Sequence, residues 1–216
     1  KRQSFDSPIF AELLSLVDPG SYTERLAHIP KLSLVSSDDE FMQLDWTQHG
    51  WLSFPGETKM LIIPDSEHSL ATGVPELVGT LAAFVGSIAA GEASDARPSF
   101  TFVRNSTNGA LTVRLTGGPK PKEVVLRHAR TLSKTRRDFR WVRLANASAE
   151  SACKLPDIPL KKEVEGGGNC LQPILWAKTK LHAHVDGSYT GTPPEPPSGH
   201  WMGYYIELIY PSELPG

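Results

Sequence analysis

Apolar and polar positions divide the chain into two regimes. Up to about residue 90 the pattern mixes helical spacing with short buried runs. Ile9, Phe10, Leu13, Leu14 and Val17 stand at helical intervals and predict a helix over Ser7–Leu16. Asp18-Pro19-Gly20 stops it. Tyr22–Ala27 predicts a further helical turn leading into Pro30, and Leu44–Leu52 predicts a short helix. Leu32–Val35 predicts a strand with apolar or small residues on both faces, as in parallel sheets. Pro55-Gly56 turns the chain into a second apolar run, Lys59–Ile63. Val74, Leu77, Val78, Leu81, Phe84, Val85 and Ile88 recur at i, i+3, i+4, i+7 and predict a helix over Val74–Ala90. Strand, helix, strand, loop, helix is the closing portion of a doubly wound sheet.

From Gly91 to Pro98 the residues are polar and small, and 93–98 reads as a linker between an α/β segment, 1–92, and a β segment, 99–216. Beyond it the period becomes two. Ser99–Arg104 and Ala110–Leu115 alternate; Val124–His128, Phe139–Leu144, Leu175–Val185 and Met202–Tyr210 follow as β-branched or aromatic runs between Gly- and Pro-rich turns. Short strands punctuated this way predict a β-sandwich. The expected fold class is thus α/β plus all-β. The α/β segment raises a physical difficulty. Two parallel strands and a few helices cannot cover both faces of those strands. Residues 1–95 are therefore expected to complete a sheet whose other strands come from a preceding segment or a separate chain.

Composition changes the picture in two places. The net charge of −2 hides a split: residues 1–95 hold 14 acids and 5 Lys/Arg, whereas 97–143 hold 12 Lys/Arg and 2 acids. Two surfaces of different character are expected, either solvated or partly paired with each other. Leu77–Ala90 carries no charge but reads as too short and too rich in Gly and Ala for a bilayer, so no membrane span is expected. The two cysteines, Cys153 and Cys170, and the sequons at Asn105 and Asn146 favour a disulfide-bonded, glycosylated protein of the secretory pathway. A Cys153–Cys170 bridge would close a loop of about 17 residues and stabilise by roughly 3 kcal/mol.

The candidate chemistry lies at the ends of the two predicted strands. Asp38-Asp39-Glu40 follows the first; His68 sits in the turn Pro64-Asp65-Ser66-Glu67-His68-Ser69-Leu70 after the second. An acid after one buried strand and a histidine after another is how α/β-hydrolases present two of three catalytic groups, in the order nucleophile, acid, histidine. Asp39 would orient His68 and stabilise its imidazolium. Asp38 or Glu40 takes that role if the register differs by one, and Asp38-Asp39 alone would also suit a helix N-cap.

Many short motifs occur here in order: Val17-Asp18-Pro19, Tyr22, Arg25-Leu26, Pro30-Lys31, Asp39-Glu40-Phe41, Asp45, Pro55-Gly56-Glu57, Pro64 and His68-Ser69-Leu70. Together they resemble the PhoPQ-activated pathogenicity-related protein family, which includes the secreted autocrine proliferation repressor type. Arg137-Asp138-Phe139-Arg140 and Gly203-Tyr204-Tyr205-Ile206-Glu207-Leu208 resemble landmarks of its β-domain. The resemblance is dense from Val17 to Leu70 and sparse from Val142 to His200. It implies the C-terminal part of an α/β-hydrolase-like domain followed by an immunoglobulin-like β-sandwich, in a secreted or cell-surface protein. By position Asp39 matches the acid and His68 the histidine. The family's nucleophile turn, a Gly-x-Ser-Lys-Arg-Gly-like elbow, has no counterpart in these residues, so serine and oxyanion hole are expected from an N-terminal segment or chain of the same protein.

Two functions from different classes follow. One is a serine hydrolase part acting on an ester or amide, with the nucleophile supplied from that segment. The other is a non-catalytic secreted or surface protein that keeps the fold and uses the β-domain in a larger assembly. His182 and His184, two apart, would share a strand face, but no further ligand pattern completes a metal site. Gly166-Gly167-Gly168-Asn169 lacks the Lys-Ser/Thr of a phosphate loop, so no cofactor is expected. The basic run from Arg127 to Arg143, interleaved with Phe139 and Trp141, lacks a nucleic-acid motif and suits an acidic polysaccharide better.

Overall fold

The computed structural model describes residues 6–45, 54–143, 154–155, 158–159, 161–162, 170–172 and 174–211. Helix α1 spans Pro8–Val17; Ser7 caps it by accepting the Phe10 N–H, and Pro8 supplies a preset first turn. Asp18 ends α1 and opens a 3-10 stretch, Pro19–Leu26, where its carboxylate accepts the Gly20 N–H. Strand β1 is Lys31–Ser36 and β2 is Thr58–Ile63, and together they form a two-stranded sheet. Lys31 donates to Glu57 O (3.0 Å) and Ser37 to Ile63 O (2.9 Å). Partner numbers rise together, so the strands run parallel. Helix α2 spans Val74–Ala89. The helix expected over Leu44–Leu52 falls mostly outside the described residues.

Beyond α2 the chain is antiparallel. Strands β3 (Ser99–Arg104), β4 (Leu111–Gly117) and β5 (Glu123–Arg130) are followed by five two-residue pieces, β6 (Val142–Arg143), β7 (Lys154–Leu155), β8 (Ile158–Pro159), β9 (Lys161–Lys162) and β10 (Cys170–Leu171). Then come β11 (Ala177–Lys180), β12 (Tyr189–Gly191) and β13 (Met202–Ile209). Three three-stranded sheets result, β11-β5-β13, β12-β4-β3 and the much shorter β6-β10-β9, together with the pair β7-β8. The β3–β4 hairpin turns where Asn108-Gly109 promises it: Gly109 has φ +72° and Asn105 donates to Ala110 O. The central strand β5 carries the core, with Val124, Val125, Leu126 and Ala129 buried. Leu126 lies beside Gly191 of β12, where an added Cβ would stand 3.1 Å from the leucine Cδ1.

The run expected as one strand over Leu175–Val185 is shorter than its pattern. It ends at Lys180, and His184 then donates to Ser188 O across a turn at Gly187 (φ +78°). His182 and His184 therefore lie beyond β11. Within residues 91–98 one side chain turns back to α2, Arg97 donating to Ser87 Oγ at 3.5 Å. Arg97 is buried and donates to Glu92 O (3.0 Å) near the C-terminal end of α2.

The chain forms two compact units. One comprises residues up to Ser33 with the stretch Asp45–Leu61; the other comprises Leu34–Leu44 with everything from Ile62 onward. The second unit holds the C-terminal ends of β1 and β2 as well as the antiparallel sheets. Neither α1 nor α2 contains a fully buried residue. Ala71–Ala89 has the length and apolarity to cross a bilayer by composition, with Glu76 in the first helical turn of α2.

Candidate active site

The site is built inside the second unit, at the C-terminal ends of β1 and β2. Ser36 through Asp39 are buried as β1 gives way to a turn. Ser37 N–H reaches Ile63 O and Asp38 N–H reaches Ser66 O, so the pairing of the strands continues into the two loops. Asp65 N–H donates to Ser37 Oγ (2.9 Å), which closes the loops from the side-chain level. Asp65 and Leu70 both have positive φ, 52° and 60°. Leu70 in this region is a strained choice, and such strain persists only where surroundings over-determine it. It flanks the histidine turn.

His68 Nδ1 lies 2.9 Å and 3.1 Å from the two carboxylate oxygens of Asp39. Asp39 Oδ1 also accepts the N–H groups of Phe41 (2.7 Å) and Met42 (2.8 Å). Burial alone would raise the Asp39 pKa. The Met42 N–H, the His68 ring and the Phe41 N–H outweigh it and hold the carboxyl below its ordinary range. The hydrogen bond to Asp39 and its charge lift the His68 pKa, with smaller help from Glu40 and Glu67. Glu40 Oε2 accepts the His68 backbone N–H (3.2 Å), and the Phe41 ring meets the imidazole edge-on at 4.9 Å. The carboxylate is 6% exposed and the imidazole 51%. With Nδ1 committed to the acid, Nε2 is the nitrogen left to exchange a proton with a hydroxyl.

Of the three acids weighed for the partner of His68, Asp39 makes the contact. Glu40 holds the histidine backbone, and Asp38 points elsewhere. Asp38 is 1% exposed, accepts the Ser37 hydroxyl and accepts Trp176 Nε1–H at 3.0 Å. Burial dominates its titration and pushes its pKa up to about 7. Nothing in the local pattern of residues 30–41 distinguishes these two aspartates. The signal that separates them in the sequence is the family resemblance, which matches Asp39 to the acid by position.

The remaining candidates are dispersed. Asn105 is exposed in the β3–β4 turn, where its Oδ1 accepts the Thr107 N–H. Asn146 and Cys153 lie outside the described residues, and of Cys170 only the backbone in β10 is described. Within the basic run, Arg127 pairs with Glu207 (2.8 Å) and Arg140 with Asp138 (2.7 Å). No group of three His, Cys, Asp or Glu side chains among the described residues is arranged to hold a metal.

A family model described as PhoPQ-activated pathogenicity-related protein matches residues 2–140. The match covers Asp39 and His68 and ends before Trp176; the likeness read at Gly203–Leu208 lies beyond it. Comparison with curated proteins and with solved structures gives no match.

Proposed function

The chain belongs to the PhoPQ-activated pathogenicity-related protein family, and on that premise we propose that it is the C-terminal part of a serine hydrolase acting on an ester or amide. The observation that carries the reading is the contact between His68 Nδ1 and the Asp39 carboxylate at 2.9 Å, placed at the ends of two parallel strands. A serine from a further segment or chain of the same protein attacks the substrate carbonyl. His68 takes the serine proton through Nε2 and passes it to the leaving group, and Asp39 stabilises the imidazolium between those events. The parallel pair is then the closing edge of a hydrolase-like sheet, and the two larger antiparallel sheets are an immunoglobulin-like sandwich. The approach of Leu126 to Gly191 supports face-to-face packing of those sheets.

The accessory features fit a secreted or surface glycoprotein. Asn105 in its exposed turn is the acceptor, and Cys153–Cys170 is the bridge. The exposed Arg130, Lys134 and Arg136 suit an acidic polysaccharide or a larger extracellular assembly.

The test is labelling of the full-length protein with a fluorophosphonate probe, in wild type and in His68→Ala. We expect labelling in wild type and its loss, by roughly a thousandfold in rate, in the variant. A folded wild type that takes no label removes the hydrolase reading and leaves the non-catalytic binding or assembly protein.

A further inference from the structure

Trp176 stands between the two loops that carry Asp39 and His68, although it lies more than a hundred residues from either loop. Its Nε1–H donates to Asp38 Oδ1 at 3.0 Å and its backbone N–H donates to Asp65 Oδ1 at 2.7 Å. Asp38 immediately precedes the acid, and Asp65 lies three residues before the histidine. The Asp38 carbonyl is held as well, by the Trp141 N–H at 3.0 Å, and Trp141 O in turn accepts the Gln172 N–H.

The indole is itself fixed. It is 4% exposed, with Phe139 at 5.9 Å and Tyr205 at 5.4 Å between ring centroids. Gly203 on β13 leaves the room it needs: an added Cβ would stand 2.8 Å from Trp176 Cη2. The Asp65 carboxylate acts on Asp38 in the same sense as burial, pushing the Asp38 pKa up. A rigidly held residue that donates its indole N–H to one and its backbone N–H to the other is what such a pair requires.

We infer that Trp176 is a positioning residue for the Asp39–His68 pair, its two N–H groups stapling the residue before the acid and the turn before the histidine. It touches neither member of the pair and acts through Asp38 and Asp65. The fold reason is that β1 and β2 have no other strand beside them among the described residues, so their terminal loops take their second support from Trp141, Gln172 and Trp176. The inference rests on the reading of Asp39 and His68 as the working pair.

The experiment is the NMR titration of His68, assigned with His68→Gln, in the full-length protein. Three forms are compared: wild type, Asp39→Asn and Trp176→Phe. Trp176→Phe keeps ring packing and the backbone N–H but removes Nε1–H. We expect the raised His68 midpoint of wild type to fall towards that of an ordinary histidine in both variants, further in Asp39→Asn. Loss of packing alone lowers thermal stability without moving this midpoint, so the titration separates positioning from scaffolding. A midpoint that shifts in Asp39→Asn and stays put in Trp176→Phe overturns the positioning role. A midpoint that stays put in Asp39→Asn overturns the pair itself. Should Trp176→Phe not fold, replacement of Trp176 by benzothienylalanine, which has the same shape and no N–H, carries the same expectation and the same refutation.

Discussion

Asp38 and Asp39 are neighbours with opposite titration behaviour, and the difference comes from what each carboxylate meets. Asp39 turns towards two backbone N–H groups and a histidine, all of which favour its charge. Asp38 turns inward, where desolvation exceeds the help from Ser37 and Trp176. The pH consequences differ in sign. Asp38 has a folded pKa raised from 3.8 to about 7, so the folded state binds more protons than the unfolded state across that interval. Its contribution to stability is fully present below pH 4 and is lost as pH rises through 7. Asp39, lowered in the fold, contributes above its unfolded value and loses that contribution in acid. His68, raised in the fold, contributes below its ordinary pKa and loses that contribution as pH rises through the folded value. Because Asp38 is almost fully enclosed, its share is the larger one near neutrality, of the order of 4 kcal/mol between pH 4 and pH 8. The variant Asp38→Asn keeps an oxygen acceptor for the indole and has no charge to desolvate. Urea denaturation at pH 5 and pH 8 should show wild type losing stability at the higher pH and the variant losing far less. Equal losses in the two proteins would mean that Asp38 is already ionised at pH 5.

At the scale of elements, the join between β2 and α2 sets where the histidine turn sits. Gly73 is the close approach: an added Cβ would stand 2.1 Å from Ile63 Cγ2 at the end of β2. Glycine there lets the helix start against the strand, and the turn bearing His68 fills the interval. Gly73→Ala should push strand and helix apart and cost about 1–3 kcal/mol, read as a lower denaturation midpoint. An unchanged midpoint would show that the two elements do not meet. These elements were legible in the sequence because their signals are local. The apolar period from Val74 to Ile88 gave α2, Asp18-Pro19 gave the end of α1, and the Asn108-Gly109 turn gave the β3–β4 hairpin. The contact between Asp39 and His68 could be anticipated for the same reason, since each residue follows a short apolar run. What was not legible depends on contacts between distant residues. Trp176 meets Asp65 and Asp38 across 111 and 138 positions. Strand β12, Tyr189–Gly191, has no alternation of its own and exists because β4 offers it an edge. The run Leu175–Val185 looked like one strand because Leu175, Trp176, Thr179, Leu181 and Val185 are spread along it with no Gly or Pro between them. β11 pairs with β5 only from Ala177 to Lys180, and the turn at Gly187 takes the rest.

For the molecule as a whole, the uncovered apolar surface of the helices is the feature that asks for a partner. Helix α2 carries one broad apolar stripe that is only partly covered. Leu77, Leu81 and Phe84 are half-buried, while Val74, Val78 and Val85 are exposed. Strands β1 and β2 are mostly only half-buried despite apolar residues on both faces. A helix that merely covered one side of a finished sheet would bury its whole apolar stripe against that sheet. A stripe left half exposed on α2, in a chain whose parallel strands are short of neighbours, is what a helix shows when further strands and helices complete its surroundings. The bilayer is the competing explanation for the same stretch, Ala71–Ala89. The double substitution Val78→Glu with Val85→Glu decides between them. If the native assembly packs protein against this stripe, burying two carboxylates there should cost about 2 kcal/mol or more per site and lower the thermal midpoint of the full-length protein. If lipid covers it, the variant should instead lose binding to phosphatidylcholine vesicles while its midpoint in detergent-free buffer is unchanged. A full-length protein indifferent to both charges in both measurements would mean that the stripe faces water, and the expectation of additional strands beside β1 and β2 would fall with it.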